Sequence, residues 1–139
     1  MHKINNNLVF CLFVAIIVVA MVVGASLGNA EDRRNKAYFT RYREADSMVL
    51  DGKPDEALKV YQTLAKVFPK AHIIQYKSAI CELHLENYEA ALSYALKTLE
   101  MHPWMSMDEG FMTLLETCFK ETGDEASAAV ARARLKLIE

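Results

Sequence analysis

The sequence predicts an all-α protein in which an N-terminal transmembrane helix precedes a three-repeat helical solenoid. The first observation is an uncharged stretch of 27 residues between Lys3 and Glu31. The second is a pattern of turn residues and small apolar residues that recurs after 34 residues and again after 37. The third is composition: 139 residues, 53% of them hydrophobic, with only five glycines and three prolines, exclude a collagen-like or low-complexity disordered chain.

Charge and motifs exclude several function classes. The net charge is −2 and 24% of the residues are charged, which gives no reason to expect nucleic acid as a partner. Three cysteines are too few for a disulfide scaffold. The sequence has no glycine-rich phosphate loop, no CxxC or HExxH motif and no serine elbow. We therefore expect no enzyme activity, no cofactor, no metal and no small-molecule substrate.

Residues 1–30 are interpreted as a transmembrane anchor, with residues 8–28 inside the membrane. Every residue from Leu8 to Val23 is apolar, and about twenty helical residues span the roughly 30 Å core of a bilayer. The alternative is a cleaved signal peptide, because Gly28-Asn29-Ala30 forms a small-residue cleavage site. A signal peptide has an apolar core of about 7–15 residues, and the longer run here favours the anchor.

The side of the membrane on which the remaining chain lies is open. Lys3 precedes the apolar stretch, whereas Arg33, Arg34 and Lys36 follow it, and the positive-inside rule then favours a cytoplasmic domain. A short basic start followed by an apolar run is also typical of a bacterial export signal, which would place the domain outside the cytoplasm.

Small residues recur every four positions along the predicted anchor, at Ala20, Gly24 and Gly28. This spacing allows two transmembrane helices to approach closely, as in the GxxxG motif. The alternative is that small residues are simply common near the ends of such helices.

The remainder of the chain, residues 31–139, contains a repeat. Ala57 and Pro69 are matched 34 residues later by Ala91 and Pro103, and a third copy with Gly123 is offset by 37. Within the first copy, the pattern predicts helices over residues 35–51 and 55–67. Glycine and proline between them end one helix and start the next.

These residues resemble the tetratricopeptide repeat, a 34-residue helix–turn–helix unit, with repeats at about 38–71, 72–108 and 109–139. Repeat one matches the family at Ala45, Gly52, Ala57, Tyr61 and Pro69. Repeat two has Glu86 in place of the usual glycine, and repeat three has Glu116 and Arg132 in place of a small and an aromatic residue. The resemblance implies six antiparallel helices, a buried Ala91 and protein or peptide binding. The expected turns are near these residues: Gly52, Lys70, Glu86, Trp104 and Gly123.

The resemblance places a partner-binding concave face on the first helix of each repeat. By position, this face comprises Phe39, Tyr42, Arg43, Asp46, Ile73, Tyr76, Lys77, Ile80 and His84. Tyr42 and Asp46 occupy positions where one subgroup grips a carboxylate with Lys and Asn, so that clamp is absent. The face suits a hydrophobic or amphipathic helix. Tyr42 and Tyr76 are the expected anchors, unless both pack against neighbouring helices.

The segment between repeats two and three is rich in Met, His and aromatic residues. Three interpretations are open: packing that fills the three-residue insertion, a contact patch for a partner helix, or a His–Met copper site. The contact patch would comprise Trp104, Met105, Met107 and Phe111.

Two further features have alternative interpretations. Cys81 and Cys118 occupy equivalent positions and are either a disulfide or redox pair, or small buried apolar residues. The last helix carries two apolar stripes, although only one is needed for packing on repeat three. One stripe comprises Ala126, Val130, Ala133 and Leu137, and the other comprises Ala128, Ala131, Leu135 and Ile138.

The predicted function is that of a single-pass, membrane-anchored scaffold for protein–protein contact, as an assembly factor or accessory subunit of a membrane complex. The first alternative is an exported soluble repeat protein whose mature chain begins at Glu31. The second is a structural subunit held mainly through its transmembrane helix.

Overall fold

The computed structural model describes residues 6–138, with side chains at 15–26 and 28–138. Lys3, Cys11 and the first side chains of the predicted membrane segment lie outside this description. The described chain forms six α-helices and contains no β-strand, which confirms the all-α prediction. The helices are α1 (Asn6–Leu50), α2 (Pro54–Val67), α3 (His72–His84), α4 (Tyr88–Met101), α5 (Glu109–Glu121) and α6 (Glu125–Leu135), with a 3-10 helix at Pro103–Met107 between α4 and α5.

The chain divides into two compact units, the first ending at Phe39 and the second beginning at Thr40. In the first unit, the helix from Ala15 onward is long and apolar enough to cross a membrane, a property that an N-terminal signal sequence shares. Its apolar side chains are exposed, and no atom lies within 4 Å of a Cβ placed on Gly24 or Gly28. Contact of another helix with Ala20, Gly24 and Gly28 stays a prediction.

The prediction that a separate helix begins at residue 35 is wrong. Residues 35–50 belong to α1, which begins at Asn6. The physical reason lies in the sequence, because no glycine or proline occurs between Gly28 and Gly52 to interrupt the helical hydrogen bonds. The proposed domain boundary after residue 30 stays a prediction.

The second unit is built from neighbouring helices that pack in sequence order: α2 on α3, α3 on α4, α4 on α5, and α5 on α6. Small residues occupy the helix contacts, and Ala45, Ala57 and Ala91 are completely buried. The burial predicted for Ala91 is therefore confirmed. The core continues through Phe111 and Leu115 of α5 towards α6.

Three turns in the second unit share one hydrogen-bonding pattern. Gly52, Glu86 and Gly123 have positive φ angles of 74°, 60° and 83°. At the first turn, the amide of Lys53 donates to the carbonyl of Met48 at 2.9 Å. The other two turns contain the same bond, at 2.9 and 2.8 Å. This is the Schellman arrangement that ends a helix with a left-handed residue, and it confirms the predicted turns at these three positions.

α6 packs with only one of its two apolar stripes. Ala128, Ala131 and Leu135 are buried, whereas Val130 is 69% and Leu137 is 85% exposed. The sequence left open which stripe is spare, and the structure shows that the stripe with Val130 and Leu137 lies on the surface.

Candidate functional site

The predicted concave face contains a cluster of interacting side chains at the end of α1. The Tyr61 hydroxyl donates to Asp46 Oδ1 at 2.6 Å, and Lys77 Nζ lies 2.8 Å from the same oxygen. The Tyr42 ring packs edge-on against the buried Tyr61 ring, with centroids 5.9 Å apart. Burial raises the pKa of Tyr61, and its hydrogen bond to Asp46 adds to that shift. These groups stabilise one another across α1, α2 and α3.

Tyr76 has a comparable environment one repeat later. Its ring lies edge-on to the buried Phe111 ring, with centroids 5.4 Å apart. Its hydroxyl oxygen would lie 3.3 Å from a Cβ placed on Gly110. Burial raises the pKa of Tyr76, and the Asp108 carboxylate adds to this effect. Tyr42 and Tyr76 therefore pack within the domain, as the packing alternative predicts, and their role as anchors stays a prediction.

The other predicted concave-face residues differ in exposure. Arg43 and His84 are exposed, while Ile73 and Ile80 are half-buried. Phe39 is 60% exposed and belongs to the first unit. The structure thus leaves few large apolar side chains of this set accessible in the second unit.

The Met-rich segment divides between core and surface. Phe111 is completely buried, so its assignment to a contact patch is wrong, because a partner could reach it only by opening the core. Met105 packs partly against the same core. Trp104 and Met107 of the 3-10 helix are 73% and 57% exposed. Packing therefore accounts for Phe111 and Met105, whereas a partner contact through Trp104 and Met107 stays a prediction.

Two imidazoles stack beside this segment. The rings of His72 and His102 have centroids 4.2 Å apart at an angle of 27°. Burial and the neighbouring His102 lower the pKa of His72. Within the part of the chain that the structure describes, no group of three or more His, Cys, Asp or Glu side chains could hold a metal ion.

Cys81 and Cys118 are free thiols in the interior. Burial raises the pKa of each to about 11. Both environments favour the neutral thiol, which fits the interpretation as small buried apolar residues.

An apolar groove of about 580 Å³ lies over α5, between α4 and α6. Leu96, 46% exposed, lies on the α4 wall, and Val130, 69% exposed, lies on the α6 wall. The side chains of the floor come from α5: Met112, Leu115 and Phe119. We therefore take this groove as the candidate binding site, because a concave apolar surface with few polar groups is typical of one.

One end of the groove is bridged by hydrogen bonds. Arg134 Nε donates to the Ser106 carbonyl oxygen, and Arg134 Nη2 donates to Ser106 Oγ, each at 3.3 Å. Ser106 belongs to the 3-10 helix, and Pro103 also lines this end. The bridge holds a guanidinium group where α6 meets the 3-10 helix.

Sequence reasoning missed this groove, although it found parts of it. One of the two apolar stripes of the last helix contains Ala126 and Val130, and Met112 directly follows Phe111 of the Met-rich segment. Leu96 could also have indicated the groove from the sequence. It directly follows the buried Ala95 and points away from the packed face of α4.

The family comparison matches this part of the chain. The model of the coatomer epsilon subunit matches residues 45–133, which is more than half of the chain and lies within the second unit. The chain belongs to the coatomer epsilon subunit family. No individual curated protein matches it significantly. The coatomer epsilon match includes every groove residue named above except Arg134, and it indicates a helical protein-interaction domain of the kind found in a subunit of a complex.

Proposed function

We propose that this chain is a membrane-anchored protein–protein interaction scaffold, acting as an assembly factor or accessory subunit of a membrane complex. The apolar groove over α5 carries the proposal, because its exposed walls give a protein partner an apolar surface to bury. Membership in the coatomer epsilon family supports a role within a complex. The function is binding rather than catalysis, in keeping with the absence of a catalytic motif in the sequence.

The membrane part of the proposal rests on the apolar helix of the first unit. The described segment of this helix is long and apolar enough to cross a bilayer. We propose a cytoplasmic domain, supported by the basic residues Arg33, Arg34 and Lys36 and by the cytoplasmic, membrane-associated character of the coatomer family. Sequencing the N-terminus of the mature protein separates this from export. A chain that starts at Glu31 would identify residues 1–30 as a cleaved signal peptide.

The groove is tested with two matched variants of the full-length chain. Val130→Glu places a carboxylate in the groove wall at an exposed position, so we expect a folded protein that no longer recovers its partner. Ala129→Glu adds the same charge at the neighbouring exposed position outside the groove and should recover the partner normally. The measurement is quantitative mass spectrometry of proteins purified with each variant in mild detergent. Equal recovery by both variants would contradict the assignment of the groove.

A second variant set tests the alternative in which the transmembrane helix alone holds the protein in a complex. Replacing residues 1–30 with an unrelated anchor should preserve recovery of the partner if the second unit binds it. Loss of recovery in this chimera, with normal helicity, would favour the alternative.

A further inference from the structure

The polar character of the groove is uneven. The lining of the groove is apolar except for Ser106, Ser127 and Arg134. Among these lining residues, Arg134 alone carries a charge. No acidic side chain lines the groove within the described chain. Because Arg134 is hydrogen-bonded to Ser106 at the bridged end, its positive charge has a fixed place relative to the apolar floor. A ligand that complements this surface has an apolar face and a carboxylate at one end.

The dimensions of the groove suit a short helix. Its α6 wall runs from Ala126 to Arg134, and eight residues of helix rise about 12 Å, a little over two turns. The α4 wall runs in the same direction, from Leu96 towards Pro103 at the Arg134 end. An amphipathic helix of this length presents apolar side chains at positions i, i+4 and i+7, which would lie along the floor between the two walls.

The position of Arg134 also sets the direction of such a helix. The C-terminal end of a helix carries partial negative charge from its unpaired carbonyl groups. That end is therefore favoured next to a guanidinium, and an acidic side chain in the last turn adds a charge-assisted hydrogen bond.

We propose that the groove binds an amphipathic helix of about two turns, with apolar residues at i, i+4 and i+7 and an acidic residue in its last turn, whose C-terminal end lies at Arg134. This proposal rests on the proposed function and specifies the chemistry of the partner. The ligand helix runs parallel to α4 and α6.

The test uses the full-length chain in phosphatidylcholine nanodiscs and a phage-displayed library of helical peptides as the probe. The library allows only apolar residues at i, i+4 and i+7 and fully randomises the remaining positions of the first and last turns. We expect selected peptides to be enriched in Asp and Glu in the last turn, where the helix dipole alone would disfavour them. A selected peptide should bind about tenfold more weakly when its last-turn Glu is replaced by Lys.

Charge reversal in the protein makes the test specific. Arg134→Glu should invert the preference, so that Lys replaces Glu in the last turn of the selected peptides. Lys136→Glu makes the same charge change just after α6, at an exposed position outside the groove, and should leave the preference unchanged. Arg134→Gln gives a second variant that keeps side-chain hydrogen bonding and should abolish the preference, and circular dichroism checks the fold of each variant.

Three results would overturn the proposal: no peptide binder at all, binders with no acidic preference in the last turn, or a preference that persists in Arg134→Glu and Arg134→Gln. Concentration-dependent dimerisation abolished by Val130→Glu would also overturn it, since a second copy would then occupy the groove. If Val130→Glu loses a protein partner that Arg134→Glu retains, the proposed function stands and this inference fails.

Discussion

Replacing Glu86 with glycine should stabilise the second unit. Glu86 has a φ of 60° at a turn where the equivalent positions, Gly52 and Gly123, are glycines. The left-handed conformation costs a residue with a side chain about 1–2 kcal/mol. Glycine removes this cost but loses about 0.5–1 kcal/mol through its greater freedom in the unfolded chain. The expected net gain is about 0.5–1 kcal/mol, which corresponds to an increase of about 2–8 °C in the melting temperature of a domain of this size.

The assay is thermal unfolding of the full-length chain in nanodiscs, followed by circular dichroism at the helical band. Glu86→Ala is the matched control, because it also removes the charge from the acidic cleft shared with Glu89 and Glu121 but keeps a Cβ. In the opposite direction, Gly52→Ala should destabilise the domain by about 1 kcal/mol. No heavy atom lies within 4 Å of its new Cβ, so this variant reports backbone conformation alone. Equal stabilisation by Glu86→Gly and Glu86→Ala would refute the reasoning, since the gain would then come from removing the charge.

Three further predictions concern packing and titration. Tyr61→Phe should destabilise the domain by about 1.5–3 kcal/mol in chemical denaturation, because it removes a hydrogen bond to the charged Asp46 carboxylate; an unchanged midpoint would contradict this. Because the pKa of His72 is lowered in the folded state, the unfolded chain binds a proton more readily, and stability should fall as pH drops below about 6.5. His72→Gln should reduce this dependence between pH 7 and 5 in melts across that range. Ala91→Leu should overpack the completely buried contact between α3 and α4 and cost about 1–3 kcal/mol in the same melts.

The helix pairs of the second unit could be predicted from the sequence because their determinants are local. Gly52 and Gly123 allow a left-handed helix end, and Pro54 begins the next helix without losing a hydrogen bond. The turn at Glu86 has no glycine, and it was located from the repeat alone. Its conformation follows from the packing of α3 on α4, which overrides the preference of this residue.

The side-chain environments could be predicted less well because they depend on contacts between distant residues. Tyr42 and Tyr76 lie one repeat apart, and the sequence left open whether they bind a partner or pack within the domain. The sequence did not show that each ring would rest on a buried aromatic ring, from Tyr61 in one case and Phe111 in the other. The same reason explains Phe111, whose place beside Trp104 and Met107 suggested a surface patch although α5 turns it inward.

One end of the candidate groove is formed where the chain departs from the regular 34-residue spacing. Four residues separate α2 from α3, whereas seven separate α4 from α5, and this difference accounts for the change in spacing from 34 to 37. The longer connection forms the 3-10 helix, and this helix supplies Ser106, to which Arg134 is bound. The longer connection thereby holds a positive charge at one end of the groove, so the feature that gives the groove a direction is the one that breaks the periodicity.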